Sequence, residues 1–489
     1  MNKFILFSSR FVLSLWQLNL NLIISMNKSI ATFLFVAFAM GAQAQNGGIS
    51  DEMLREMKKS YQATPAEKAL RNAITTNDVR VLAVNRDNAA NYDTYFSNKV
   101  SSKGLTDQKS SGRCWLFTGL NVFRAKMIAQ YNLPSLEFSQ NYNFFWDQLE
   151  KANLFLQGVI DTYEKPMNDK MVEFLFKNPV SDGGQFTGVV DIIGKYGVVP
   201  KEVMPETYNS ENTARMSSFI KLKLREYGLQ LREQAAKGTK MADLEKNKTE
   251  MLGTIYRMLV YTLGEPVTSF QWVPRDADGK PTGELKTYTP QSFYKEFINE
   301  DLENNYIMVM NDPSRPFWKV YEIDFDRHAY DGHNWLYLNL PIDEIKQMAI
   351  ASIKDNTMMY FSCDVNQSLD KERGLLDLKN YDYESLFGTT FGMDKKQRIQ
   401  TFSSGSTHAM TLMAVDLDSA GKPTKWMVEN SWGQYGYKGH LIMTDEWFNE
   451  YMFRLAVKKK YAPAKVLDVL KKEKPIRLPA WDPMFANEE

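Results

Sequence analysis

The hydrophobic pattern changes character several times along the chain. Residues 45–95 are polar and predict partly helical structure (DEMLREMKKSYQ), followed by an extended approach from Asn91 to Val100. The segment CWLFTGLNVFRAKMIAQYNL, opened by Cys114, lies between Gly112 and Pro134. Its apolar positions Leu116, Leu120, Phe123, Met127 and Ile128 predict a helix with one buried face. Residues 137–180 continue as helices rich in aromatics, until Ser181-Asp182-Gly183-Gly184 breaks the pattern as a loop. Dense mixed charge over 215–250 predicts solvated helices with a narrow apolar stripe. Residues 267–345, richer in aromatics, Asp, Gly and Pro, suggest strands and turns. After Asn356 short apolar runs alternate with turns (TMMYFSCDV, THAMTLMAVDL, KWMVENSW, GHLIMTD), the signature of strands. The tail after Lys474 carries Pro475, Pro479 and Pro483 and ends MFANEE.

Composition narrows the class but not the activity. The 489 residues are 44% hydrophobic and 24% charged, which is ordinary for a globular protein. Lys+Arg and Asp+Glu both number 59, so no net field draws the chain toward nucleic acid or anionic lipid.

The first 44 residues stand apart, with Lys3, Arg10 and Lys28 and no acidic residue. From Met26 a polar start leads into an apolar run, Ile30 to Met40, and then Gly41-Ala42-Gln43-Ala44. That order is a signal peptide with cleavage expected after Ala44, and residues 1–25 read as upstream of the true start. The alternative is an N-terminal membrane anchor, for which the run is short, and no permanent membrane span is expected. Cleavage would leave 56 positive and 59 negative charges, a net −3. The mature protein is then periplasmic or secreted, and cytoplasmic if the leader is not functional. Two cysteines, Cys114 and Cys363, are few for an exported chain; they form one disulfide, or one of them is a reactive thiol.

The chemistry concentrates in three places. In Gln108-Lys109-Ser110-Ser111-Gly112-Arg113-Cys114-Trp115 the cysteine opens a helix, whose unpaired N–H groups favour a thiolate. The Cys114 N–H and the Gln108 side-chain amide could both donate to an oxyanion. His408, in Gly405-Ser406-Thr407-His408-Ala409-Met410, enters a strand-like run, and Asn430 follows 22 residues later in Glu429-Asn430-Ser431-Trp432-Gly433. A cysteine nucleophile needs an imidazole base, and the imidazole needs a third group to fix its tautomer. Asn430 can accept from one ring nitrogen and Trp432 can shield that bond. A strand–turn–strand path between the two would bring them together. His328 and His333 complete no metal motif and read as core or surface histidines.

These three blocks resemble the active-site segments of papain-like cysteine peptidases. Cys114 and His408 are 294 residues apart, against about 130–150 in the cathepsin-type pattern. The cysteine that secreted papains carry three residues before the nucleophile is Ser111 here. Both departures point to the bleomycin hydrolase / aminopeptidase C branch. Asp182-Gly183-Gly184-Gln185, Tyr196-Gly197-Val198-Val199-Pro200, Phe361 to Val365 and Trp481-Asp482-Pro483-Met484 are similar to the same branch.

The resemblance implies an α+β, papain-like two-lobe cysteine peptidase with a large helical insertion. Its parts would be a leader (1–44), an N-terminal arm (45–95), a helical lobe with the cysteine (96–200) and an inserted region (201–340). A β-rich lobe with His and Asn (341–474) and a C-terminal arm (475–489) complete it. It implies Cys114, His408, Asn430 and Gln108 as catalytic residues, with Trp115 and Trp432 in support. Gly183 and Gly184 would bind the substrate backbone, and the terminal carboxylate at Glu489 would bind a free α-amine. The activity implied is that of an aminopeptidase working through a thioester on peptides with free N-termini. No metal or organic cofactor is needed. A ring-like homohexamer is the expected assembly, with the charged helices contributing to it; nucleic acid is not an expected partner. The rivals are acyl transfer from the same thioester and a non-catalytic peptide- or nucleic-acid-binding protein.

Overall fold

The computed structural model describes residues 47–61, 63–88 and 93–484. The leader over 1–44 and Glu489 therefore lie outside the described residues. The chain divides into two units, residues 1–82 and 83–489. In the first, helix α1 (Asp51–Ser60) is capped by Ser50, whose hydroxyl accepts from the Met53 N–H. Helix α2 (Pro65–Ile74) opens on a Thr64/Glu67 capping box with proline at its start.

The second unit holds the helices first predicted. Helix α3 (Cys114–Tyr131) begins at the cysteine itself. It departs from expectation in one respect. Every residue from Trp115 to Ala125 is buried, so the helix is enclosed on all sides rather than on one face. The reason is its position: it packs against helix α4 (Gln140–Asp161) and helix α5 (Phe186–Tyr196) on one side and the sheet on the other. Helices α6 (Thr213–Ala236) and α7 (Met241–Leu263) carry the narrow stripe their charge pattern predicts. Ile220, Leu224 and Leu231 of the one, and Ile255, Leu259 and Leu263 of the other, are buried.

Among the described residues twelve strands form one mixed sheet, and Phe270–Trp272 and Lys286–Tyr288 pair as a separate hairpin. Strands β1 (Tyr306–Met310), β2 (Lys319–Ile323) and β3 (Leu336–Asn339) come from residues grouped above with the inserted region. They join β4 (Met359–Cys363), β5 (His408–Leu417), β6 (Pro423–Glu429), β7 (His440–Thr444), β8 (Met452–Lys458) and β9 (Ile476–Leu478). The order is β9-β2-β3-β1-β8-β4-β5-β6-β7, continued by two short strands, and a twelfth strand, Asn98–Lys99, pairs with β5 off this path. Residues 306–339 thus contribute strands to the main sheet. Strand β1 pairs with β8, over 140 positions later, and no local pattern announces a partner so distant.

Two registers set the site. In the β4–β5 pair His408 lies opposite Cys363, and in the β5–β6 pair Thr411 lies opposite Glu429. The end of β6 therefore delivers Asn430 beside the start of β5. The Gln108 segment is laced to it: Asp107 bridges to Trp432, and the Gln108 N–H donates to the Ser431 carbonyl at 2.8 Å.

Among the described residues no helix is long and apolar enough to cross a membrane.

Candidate active site

A cleft between α3 and the sheet is lined by Gln108, Gly112, Cys114, Gly183, Gly184, Tyr360, Ser362, Ser406, Thr407, His408 and Ala409. Five of the residues singled out from sequence, Gln108, Cys114, Gly183, Gly184 and His408, meet in this one space.

Cys114 is held where a helix begins. Its backbone turn is fixed by Gly112, whose N–H donates to Asp182 Oδ2 at 2.7 Å. A Cβ at Gly112 would stand 2.4 Å from Asp182 Oδ1, so only glycine permits this closeness. Arg113 is buried at the helix cap and pairs with Glu206 at 2.8 Å, which secures the turn from the other side. Burial pushes the Cys114 thiol up to about 11, while the N–H groups of Ala409, Trp115 and Cys114 itself favour the thiolate.

The imidazole has a defined tautomer. Asn430 Oδ1 accepts from the Ser431 N–H at 2.8 Å, which identifies that atom as the oxygen. His408 Nε2 lies 2.9 Å from the same oxygen and must therefore be the donor. The lone pair remains on Nδ1, available as a base. Trp432 stacks on the His408 ring at 4.8 Å between centroids and covers this bond. Burial pushes the His408 imidazolium down to about 4, partly opposed by Asn430. Each group alone is thus kept neutral at pH 7. Both groups line the same cleft, so transfer of the thiol proton to the imidazole would set opposite charges there, each stabilising the other.

Gln108 is oriented by a residue that sequence reasoning passed over. Ser431 Oγ donates to Gln108 Oε1 at 2.6 Å, leaving Gln108 Nε2 as the donor end. One of its N–H groups goes to the Ser111 carbonyl at 2.6 Å, and the second can serve a developing oxyanion. Ser431 therefore supports both Asn430 and Gln108. Its only signal was adjacency to Asn430.

The supporting residues have definite partners. Trp115 Nε1 donates to the Asp182 carbonyl at 2.9 Å and so joins the helix start to the glycine loop. Gly184 is small for a reason beyond room for a ligand: a Cβ there would fall 2.2 Å from the His328 ring. Deeper in, Arg124 of α3 pairs with Glu429, the residue before Asn430, and both are buried. Ser102 Oγ donates to the other Glu429 oxygen at 2.9 Å.

The remaining candidates fall elsewhere. Cys363 and Cys114 are both free, and Cys363 is a fully buried strand residue. His328 is a core histidine bonded to Asp147 at 2.5 Å, whereas His333 is exposed between Asp191 and Glu303. Among the described residues no group of three or more His, Cys, Asp or Glu is placed to hold a metal ion.

Comparison with known proteins agrees with this geometry. The model of the Peptidase C1-like family matches residues 48–485. Aminopeptidase C of Lactobacillus delbrueckii subsp. lactis is 38% identical over 443 residues, 90% of this chain and 98% of that protein. Bleomycin hydrolase of Homo sapiens is 38% identical over 457 residues, 91% of this chain and all of that protein. The crystal structure of pepw from Lactobacillus rhamnosis superposes with a TM-score of 0.86 at 40% identity, covering 89% of this chain and 98% of the other. The papain-like fold, the extent of the match and the Cys114, His408 and Asn430 constellation converge: this chain belongs to the Peptidase C1-like family, in the branch of the aminopeptidases C and bleomycin hydrolases.

Proposed function

We propose that this protein is a cysteine-type aminopeptidase that hydrolyses peptides through a thioester on Cys114. The observation that carries the reading is the His408–Asn430 bond in the cleft that also holds the helix-start cysteine. The Cys114 proton passes to His408 Nδ1 as the sulfur bonds to the substrate carbonyl carbon. The oxygen, now anionic, accepts from the Cys114 N–H and from Gln108 Nε2. As the C–N bond breaks, His408 returns its proton to the leaving amine, which departs as the new N-terminus of the shortened peptide. Water, deprotonated by His408, then cleaves the thioester and regenerates the thiol.

Removal from the free N-terminus rests on the C-terminal arm. Asp482 pairs with Arg315 at 2.5 Å, and the Met484 carbonyl accepts from Arg454 Nη2 at 2.5 Å. Arg454 is the register partner of Ser362, a residue lining the cleft. Five residues follow Met484, enough for about 17 Å of extended chain. A terminal carboxylate brought into the cleft would pair with the substrate α-ammonium. The export leader and the hexameric ring belong to the same proposal. The ring is supported by exposed Phe219, Leu222 and Leu229 on α6, an apolar face at helical spacing.

The experiment is hydrolysis of aminoacyl-amides and N-blocked peptides by three proteins: the intact enzyme, Cys114→Ala, and a deletion of Asn487–Glu489. Cys114→Ala should be inactive on both substrates. The deletion should move activity toward blocked peptides. Hydrolysis surviving Cys114→Ala would overturn the cysteine mechanism, and an unchanged preference for free N-termini would overturn the carboxylate anchor.

A further inference from the structure

Behind the Gly183–Gly184 wall of the cleft lies a buried charged network that the chemistry above does not use. Lys151, on α4, is nearly enclosed, and its ammonium has three oxygen partners. These are Asp147 Oδ2 at 3.0 Å, the Ser181 carbonyl at 3.0 Å and the Gly183 carbonyl at 2.6 Å. An ammonium has three N–H donors and no acceptor, so this set satisfies it completely. Asp147 is fully buried. Although burial opposes its charge, Lys151 and His328 hold its carboxyl below the usual range. Gln148 adds a second donor to the Ser181 carbonyl at 2.8 Å. The His328 ring, fixed by Asp147, stands edge-on to Trp115 at 4.6 Å and fills the space under Gly184.

The consequence follows from peptide geometry. The Gly183–Gly184 bond is trans, so its C=O and N–H point in opposite directions. The carbonyl is turned inward onto Lys151. The N–H of Gly184 is thereby turned the other way, at a residue that lines the cleft. Among the described residues no protein acceptor takes that N–H. The neighbouring carbonyls are fixed as well: Ser181 by Lys151 and Gln148, Asp182 by the Trp115 indole. Two glycines in sequence have little intrinsic preference for this orientation, and the buried ammonium supplies it.

We propose that Lys151 is a positioning residue for substrate binding. By holding the Gly183 carbonyl inward it presents the Gly184 N–H to the cleft as a donor for the backbone of an extended peptide. The proposal rests on the peptidase reading and adds the origin of its backbone recognition. Lys151 touches neither the nucleophile nor the base. Its loss should therefore weaken peptide binding and leave the thiol's reactivity in place.

The test compares Lys151→Met with the unmodified enzyme in peptide hydrolysis and in alkylation of Cys114 by iodoacetamide, a reagent too small to need the glycine wall. KM for peptides should rise by about tenfold or more, the equivalent of a lost charge-assisted hydrogen bond. The kcat should stay within about threefold and the alkylation rate within about twofold of the unmodified enzyme. Gln148→Met, which removes the second donor to Ser181 and a donor to Asp147 Oδ2, should raise KM in the same sense by a smaller factor. It provides the readout if Lys151→Met does not fold. A folded Lys151→Met with unchanged KM overturns the proposal. So does a parallel loss of alkylation, which would make Lys151 a support of the whole site, or an unchanged KM in Gln148→Met. An unmodified enzyme lacking thiol-dependent hydrolysis overturns the peptidase reading itself, and this proposal with it.

Discussion

The two cysteines of this protein, one lining the cleft and one buried in the sheet, have opposite characters. Cys363 is the register partner of His408, so by position in the sheet it is next to the base. Cys114 comes from the other side of the cleft, almost three hundred positions away in sequence. Yet Cys114 meets the N–H groups of a helix start and of Ala409, whereas Cys363 is sealed inside the sheet. Burial, together with Asp364, pushes the Cys363 thiol well above its ordinary range, and no N–H donor opposes the shift. Adjacency to a histidine does not make a nucleophile. Donors aimed at the sulfur, and a cleft that admits a carbonyl, do.

The contrast between the two thiols is tested most forcefully at Cys114. Cys114→Ala should lower kcat/KM at least about 10⁴-fold, measured on aminoacyl-amides, because nothing else in the cleft can form the thioester. Asn430→Ala frees the His408 ring to rotate and to change tautomer, with an expected loss of about tenfold to a hundredfold in kcat. Arg124→Met leaves Glu429 buried and uncompensated beneath Asn430, at a cost of about 3–5 kcal/mol in denaturant unfolding.

The pH profile sharpens the contrast from another side. With His408 held down to about 4, the acidic limb of kcat/KM should lie near that value rather than near the ordinary imidazole range. The sign for stability follows from the same shift. The unfolded chain binds the proton first, so the contribution is present above the ordinary histidine value and is lost as pH falls through about 4. The smallest effect belongs to Cys363→Ala. Activity should stay within about threefold, and stability should fall by about 1–2 kcal/mol for the space vacated in the core.

Much of the site was legible because it lies in short contiguous blocks. Gln108 to Trp115, Thr407 to Met410 and Glu429 to Gly433 each carry their own chemistry, and strand β5 pairs with β6 across a single turn. The cleft's supports were not legible. Nothing in the sequence around Lys151 singles it out, and His328 reads only as a core or surface histidine. Their meaning depends on carbonyls thirty residues away in one case and on a packing partner nearly two hundred residues away in the other. The enclosure of α3 was hidden for the same reason: periodicity reports one buried face and cannot report a second layer that arrives later in the chain. Strands β1 to β3 read as part of the insertion because their partners β8 and β9 lie after His408 and Asn430 in the chain.

On the proposed mechanism only one thiol of the two, that of Cys114, attacks the substrate. Labelling with an epoxide thiol inhibitor, followed by intact mass and peptide mapping, tests it directly. A single adduct on Cys114, formed in step with loss of hydrolysis and absent from Cys114→Ala, is expected. An adduct on Cys363, or full activity in protein quantitatively labelled at Cys114, would contradict it.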